Sequence, residues 1–406
     1  MTLLIVVLIV LLLPFVLLVL MKAVPFEYNA RSLVVRKVTT LATALGIALV
    51  VFVFAGALML GDISRVLAAA GRDDTVIIMR KGSDSELTGA IANEHLGLFR
   101  GPAQVSQAGG VIGEIVVVVI ADHADGSGSS NVLVRGTPPE GIAFRPEIKI
   151  ISGRAPRPGT NEAIVGTAIA GRFKGLSAGQ SLDLRRNRPL IVVGEFSAGG
   201  ASYESEVWGD LDYIRNALGR QAIVSSARVR LNHPEDFDAY RQAIETDKRY
   251  SMKVMRESDY FEKQSAQTAT FLKVMGLIIA VLFSLAAMIG AAITMNGAVA
   301  HRSREIGTLR ALGFSRLAIL TSFLAEAIVL AVIGGVIGSA LVLVLSVFVS
   351  FPIINFQTFS EIVFRFHATP AVFAKALVFS GGMGLIGGLV PAIRASRVSP
   401  IEAMRG

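Results

Sequence analysis

The stretch HRSREIGTLRALGFSR, residues 301–316, lies between two long apolar runs, yet it holds four arginines, a glutamate and two glycines. A plain link between membrane spans needs only a turn and some positive charge. On a helix, Ile306, Leu309 and Leu312 share one face, Arg302 and Arg310 bracket Ile306 at four-residue spacing, and Glu305 lies on the flank. Gly313 suits a helix end, and Ser315 suits a cap for the next element. The spacing predicts a short amphipathic helix, apolar on one side and rimmed with charge. The alternative is a simple basic connector.

The flanking runs set the fold class. A bilayer core about 30 Å thick needs roughly 20 apolar helical residues. Residues 40–60, 271–297, 317–350 and 373–390 all meet that requirement. A fifth run, LLIVVLIVLLLPFVLLVL at 3–20, is either an extra span (1–21) kinked at Pro14 or a cleaved signal peptide. No charged residue precedes it and no small-residue cleavage pattern follows closely, which favours the span. Basic residues collect in the 22–39 link (Lys22, Arg31, Arg36, Lys37), in 298–316 and in the 391–406 tail (Arg394, Arg397, Arg405). The positive-inside rule puts all three in the cytoplasm, and alternation then puts 61–256 and the 351–372 loop outside.

Composition agrees. Hydrophobic residues make up 52% of the 406, yet 17% are charged, as expected for spans joined to a folded aqueous portion. The net charge of +8 is explained by orientation in the bilayer, without nucleic acid. Cysteine is absent, so disulfides are excluded.

The mixed order of strands and helices in the insertion predicts an α+β domain. Strand patterns occur at 74–80, 114–121, 189–196 and 222–231. Helices are predicted at 84–94, opened by a Ser83–Glu86 capping box, at 234–246, opened by Pro234, and over the shorter 167–174. ADHADGSGSSN (121–131) reads as an exposed tip. Residues 257–276 contain no glycine or proline before Gly276, which predicts one helix running as a stalk from the domain into the 271–297 span (257–297 together). The fold class is therefore an α-helical membrane protein with an inserted α+β extracytoplasmic domain, with four core transmembrane helices plus one extra N-terminal helix.

Enzymatic signatures are missing. No glycine precedes a lysine, so there is no phosphate-cradling loop of the Gly-Lys type. The histidines lack metal-ligand spacing, and His123 beside Asp122 and Asp125 reads as a solvated turn. Asp84 with Glu86, and Glu235 with Asp236, read as acidic helix starts. No catalytic or metal residue is assigned. Glu326 lies inside the 317–350 run, either as a polar contact organising the bundle or as a wet carboxylate near the interface. Gly334 with Gly338, and Gly384 with Gly388, have the four-residue spacing that lets helices approach, within this chain or across a dimer.

REIGTLRALGFSR resembles the coupling helix of ABC-transporter permeases of the MacB/FtsX type, and PAIRASRVSPIEAMRG (391–406) is similar to that family's carboxyl end. ISGRAPRPGTNEAIVGTAIA (151–170), GLSAGQSLDLRRNRPLIVVGEF (175–196) and VWGDLDYIRNALG (207–219) resemble its periplasmic core domain. The resemblance implies that Arg302, Glu305, Gly307, Leu309, Arg310 and Gly313 contact a separate ATPase. In the tail it covers Pro391, Arg394, Arg397, Pro400 and Glu402. Pro391 is expected to end the last span, and Ser399 with Glu402 to form a capping box around Pro400. It also implies a multi-pass inner-membrane protein working as a dimer with a second copy or paralogue, with ATP and Mg on the ATPase and a periplasmic adaptor and outer-membrane protein as further partners. Drug or peptide efflux, lipoprotein release or envelope remodelling would be its work. The rival expectation is a membrane-anchored adaptor or receptor with no ATPase partner.

Overall fold

A computed structural model describes residues 37–61, 71–107, 110–247, 250–348, 350–355, 359–365 and 369–400. The predicted span at 3–20, most of the 22–39 link, and Glu402 with its capping box lie outside the described residues. The longer α-helices are α1 (Lys37–Gly61), α2 (Leu211–Leu218), α3 (Phe237–Glu245), α4 (Glu257–His301), α5 (Ser303–Ala311), α6 (Arg316–Phe348) and α7 (Pro370–Ser396). Two compact units emerge: a helical one within 37–61, 271–348 and 369–400, and a β-rich one within 71–270 and 350–365.

In the helical unit, Lys37–Met59, Thr268–His301, Arg316–Phe348 and Pro370–Ser396 are each long and apolar enough to cross a membrane, matching the four predicted runs. Helix α6 is the hub, and glycines set its contacts. A Cβ at Gly338 would meet the Ala48 carbonyl oxygen at 2.4 Å, and one at Gly334 would meet that of Ala44 at 2.7 Å. On the other side, a Cβ at Gly384 would lie 2.5 Å from Ala331 Cβ, and one at Gly388 2.4 Å from Ala327 Cβ. All four glycines thus serve packing inside the chain, where backbones come too close for any side chain. Pro391 corrects an expectation. It lies inside α7, which continues to Ser396 because Ala392 and Ala395 are buried in the core that follows. The cost is one backbone hydrogen bond, which a helix held by tertiary packing absorbs.

Helix α4 runs unbroken for 45 residues, roughly 68 Å at 1.5 Å per residue, as the stalk reading predicts. Its first turns belong to the β-rich unit, where Tyr260 and Phe261 are buried. Its later apolar side chains, Leu282, Ile289 and Ile293 among them, are exposed within this chain.

The β-rich unit is organised by a ten-stranded sheet in the order β12-β1-β11-β3-β4-β9-β6-β8-β5, with β7 added to β8. In chain order these are β1 (Thr75–Arg80), β3 (Val111–Asp122), β4 (Ser129–Thr137), β5 (Lys149–Gly153), β6 (Glu162–Gly166), β7 (Ser181–Arg185), β8 (Arg188–Ser197), β9 (Glu206–Asp210), β11 (Ser226–Arg230) and β12 (Met252–Arg256). A small pair, β2 (Ile91–Ala92) with β10 (Ile223–Val224), stands apart. Alternating Val and Ile on β3 and β4 fill one core with β6 to β9 and α2, while β1, β11, β12 and α3 enclose a second. The four predicted strands are present, the last divided at Ser225, and α3 follows Pro234 as read.

Two predicted helices are absent. Over 84–94 there are short 3-10 turns at Glu86–Thr88 and Asn93–Arg100, because Glu86 is drawn into a buried charge cluster. Gly89 also presses so close to Ser225 that a Cβ would lie 2.0 Å from its carbonyl oxygen. Over 167–174 the chain makes successive turns, with Gly171 at φ +71°. The 351–372 segment is likewise more than a loop. Strands β13 (Ser350–Ile354) and β14 (Glu361–Arg365) form an antiparallel hairpin that belongs to the β-rich unit.

Candidate functional site

Helix α5 is held on one side and open on the other. Ile306 is buried with Met295, Val299, Ile319, Phe323 and Ala395, and Leu309 packs against this core. Arg304, Glu305, Thr308, Ala311 and Leu312 are exposed, and on a helical repeat they form one stripe. Leu312 therefore departs from the predicted apolar face. Helix α5 ends at Ala311, leaving Leu312 73% exposed. Gly313 takes φ +97° and closes the helix, and the Ala318 amide donates to Ser315 Oγ at 3.1 Å, opening α6 as the spacing predicts.

The two bracketing arginines do not lie on the stripe. Arg302 is 4% exposed; its Nη1 donates to Glu326 Oε2 at 3.2 Å and its Nε to Glu305 Oε2 at 3.3 Å. Its guanidinium also lies 5.2 Å from the centre of the Phe323 ring. Arg310 is half-buried and donates from Nη1 to the Phe314 carbonyl at 2.9 Å, bracing the turn after the helix. Arg302 is thus a buried, paired guanidinium on the anchored side of the helix, not part of the exposed stripe. Gly307 is buried too. Glu326 is 7% exposed and paired with Arg302, the arrangement expected of a polar contact within the bundle. Val398 packs on the same core as Ile306, so Arg394 and Arg397, both exposed, lie at the α5 end of the helical unit, with Pro400 half-buried nearby in sequence.

Sequence reading missed the strongest polar constellation, which lies in the β-rich unit. Arg135, Arg145 and Arg228 meet Glu86, Glu114, Glu206 and Glu257 in a buried network. Arg135 donates from Nε to Glu206 Oε2 at 2.7 Å and from Nη1 to Glu114 Oε2 at 3.0 Å. Arg145 makes two parallel 2.9 Å bonds to Glu114. Arg228 reaches Glu257, the first residue of α4, at 2.7 Å, and Tyr203 Oη donates to the same carboxylate at 2.9 Å. Trp208 Nε1 donates to Glu206 Oε2 at 2.8 Å. The contributing residues are spread from 86 to 257, so no local spacing announces them. Glu86 does open the short 3-10 turn, but its carboxylate is bonded to this network.

Burial alone would raise the Glu86 carboxyl, but Arg135 and Arg228 outweigh it and hold it down to about 2. Glu114 is likewise pulled well below the usual carboxylate range by Arg145, Arg228 and Arg135 against its burial. A depressed folded-state pKa stabilises above the unfolded value, near 4.3, and that stability is lost as pH falls through the folded one. Fluorescence of Trp208, the single tryptophan, should therefore hold steady down to about pH 4 and then change towards about pH 2. A signal flat to pH 2 would contradict this coupling.

His123 also departs from expectation. It is not a solvated turn residue: its Nε2 lies 3.3 Å from Glu361 Oε2 and its ring stacks on Phe173 at 4.5 Å. Among the described residues no cluster of three or more His, Asp or Glu could hold a metal.

Two family models match the chain. The FtsX-like permease C-terminal model covers residues 277–400, and the MacB-like periplasmic core domain model covers 39–247. An uncharacterized ABC transporter permease, YvrN of Bacillus subtilis (strain 168), is 41% identical over 107 residues, which is 26% of this chain and 24% of that protein. The macrolide export ATP-binding/permease protein MacB of Salmonella choleraesuis (strain SC-B67) is 28% identical over 234 residues, 54% of this chain and 34% of that protein. The chain thus spans about a quarter to a third of the length of these relatives. The solved periplasmic region of MacB from Actinobacillus actinomycetemcomitans covers 49% of this chain and 95% of its own, at 12% identity and a TM-score of 0.37. With its β-rich insertion and its last three membrane-length helices each matched in turn, the chain belongs to the MacB/FtsX family of ABC transporter permeases.

Proposed function

We propose that this chain is the permease subunit of an ATP-driven complex in a bacterial inner membrane, with α5 as the point where a separate ATPase takes hold. The observation that carries the reading is the division of α5 into two faces. Ile306 and the Arg302–Glu326 pair fix one side, while Arg304, Glu305, Thr308 and Leu312 are exposed to solvent on the other. A helix gripped on its exposed stripe and anchored through its buried side passes displacement to α6 as a rigid body. The β-rich domain is the periplasmic element that is moved, through the unbroken α4. The exposed apolar side chains of α4 fit a second permease copy or paralogue as well as lipid. ATP and Mg belong to the ATPase. Efflux, lipoprotein release and envelope remodelling are the kinds of work this device would do, with an adaptor and an outer-membrane protein as further partners.

Exposed residues make the test selective. Glu305→Arg together with Leu312→Asp should lower recovery of the co-purified ATPase at least about tenfold, since charged and apolar anchors at an interface centre cost about 2 kcal/mol or more. Trp208 fluorescence should be unchanged. Full recovery of the ATPase with this variant would favour an adaptor held through another surface.

A further inference from the structure

The hairpin between the last two spans is fastened to the β-rich domain at one buried carboxylate. Glu361, the first residue of β14, is 7% exposed. Its Oε1 accepts from Arg172 Nη2 at 2.9 Å, and its Oε2 lies 3.3 Å from His123 Nε2. Three further contacts line up along the hairpin. Asn131 Nδ2 donates to the Phe359 carbonyl at 2.9 Å, the Val363 amide donates to Ser205 Oγ at 3.1 Å, and Val363 packs against the core of β3, β4 and β6 to β9. On its other flank, Asn355 and Ile362 line a cavity of about 20 Å³ together with Tyr260 and Phe261 of α4 and with Arg135 and Glu206 of the charge cluster. The hairpin and the base of the stalk helix therefore meet the same buried network.

We propose that Glu361 is a positioning residue that latches the 350–365 hairpin permanently to the domain, so that the domain is carried by the α6–α7 connection as well as by α1 and α4, which bracket it in the chain. A body held only at the two ends of an insertion keeps some freedom to rock. A third attachment restricts that freedom and turns a displacement of the spans into a directed movement. Burial makes the latch durable. Breaking the Arg172–Glu361 contact leaves a carboxylate with little access to water, so the contact is not one that opens and closes cheaply. The carried movement rests on the permease reading above; the latch itself does not.

The test uses the full chain in two steps. Glu361→Gln should quicken amide exchange across 350–354 and 361–365 by about tenfold or more, with β1, β11 and β12 unaffected and Trp208 fluorescence native. Because the chain contains no cysteine, His123→Cys with Glu361→Cys can be bridged by a short bifunctional thiol reagent. Bridging should restore slow exchange, the covalent link standing in for the ion pair. Exchange indifferent to Glu361→Gln would overturn the latch. In the complex with its ATPase, the bridged pair should turn over ATP at the unbridged rate. A tenfold fall on bridging would show that the hairpin must leave the domain in each cycle, and would overturn permanence. Failure to recover any ATPase would count against the proposed function alone, since the exchange measurement decides the latch without it.

Discussion

Glu114→Gln should cost the β-rich domain about 3–5 kcal/mol, a factor of roughly 150 to 5,000 in its unfolding equilibrium. Glu114 has 0% side-chain exposure and accepts from Arg135, Arg145 and Arg228, with Thr137 Oγ1 donating at 2.9 Å. The substitution preserves shape but removes the one charge that all three guanidinium groups share. It also sets an amide group among donors that have no acceptor to spare. Desolvating those arginines is repaid only while their carboxylates are present, so removing one partner costs more than the pair contributes net. Urea titration of the full chain followed by Trp208 fluorescence would measure it, because that indole is bonded to Glu206 within the same network. Glu162→Gln is the control. Its partner Arg154 is well exposed, and its loss should barely move the midpoint. Equal midpoint shifts for the two variants would show that burial of the cluster is not what gives it weight.

The second large effect is expected at Glu326. Replacing it by leucine takes from Arg302, which is 4% exposed, its buried counter-charge and leaves it the exposed Glu305, beside a core made of Met295, Val299, Ile306, Ile319 and Phe323. Loss of one partner of a buried pair costs about 3–5 kcal/mol, and the solvent-screened Glu305 replaces little of what Glu326 supplies. Arg302→Leu combined with Glu326→Leu should recover most of the loss, because the charge to be solvated is then gone. Thermal inactivation of the purified full chain would read both variants. Simple additivity of the two single substitutions would mean that the pair is not coupled, and the anchoring of α5 would then rest on the packing of Ile306 and Leu309.

What could be read without the structure was periodic or local. Runs of apolar residues long enough for a bilayer declare themselves because the solvent demands them. The short helix at 303–311, its Gly313 end and its Ser315 cap follow from near neighbours in the chain. The uninterrupted α4 follows from the absence of Gly and Pro before Gly276. Alternating β-branched residues showed β1, β3, β8 and β11 for the same reason, since a period of two is written in adjacent positions.

The tertiary structure decided whatever depends on partners far away in sequence. Glu86 fails to start the predicted α-helix because Arg135 and Arg228, 49 and 142 residues distant, claim its carboxylate. Arg302 looks like part of a charged rim until Glu326 is folded beside it. A segment that reads as an outer loop becomes a docked hairpin because Arg172 and His123 are waiting for Glu361. Local propensity fixes which elements can form, whereas the large cost of burying a charge without its counter-charge fixes which of them may meet, and that second choice is made only when the whole chain is assembled.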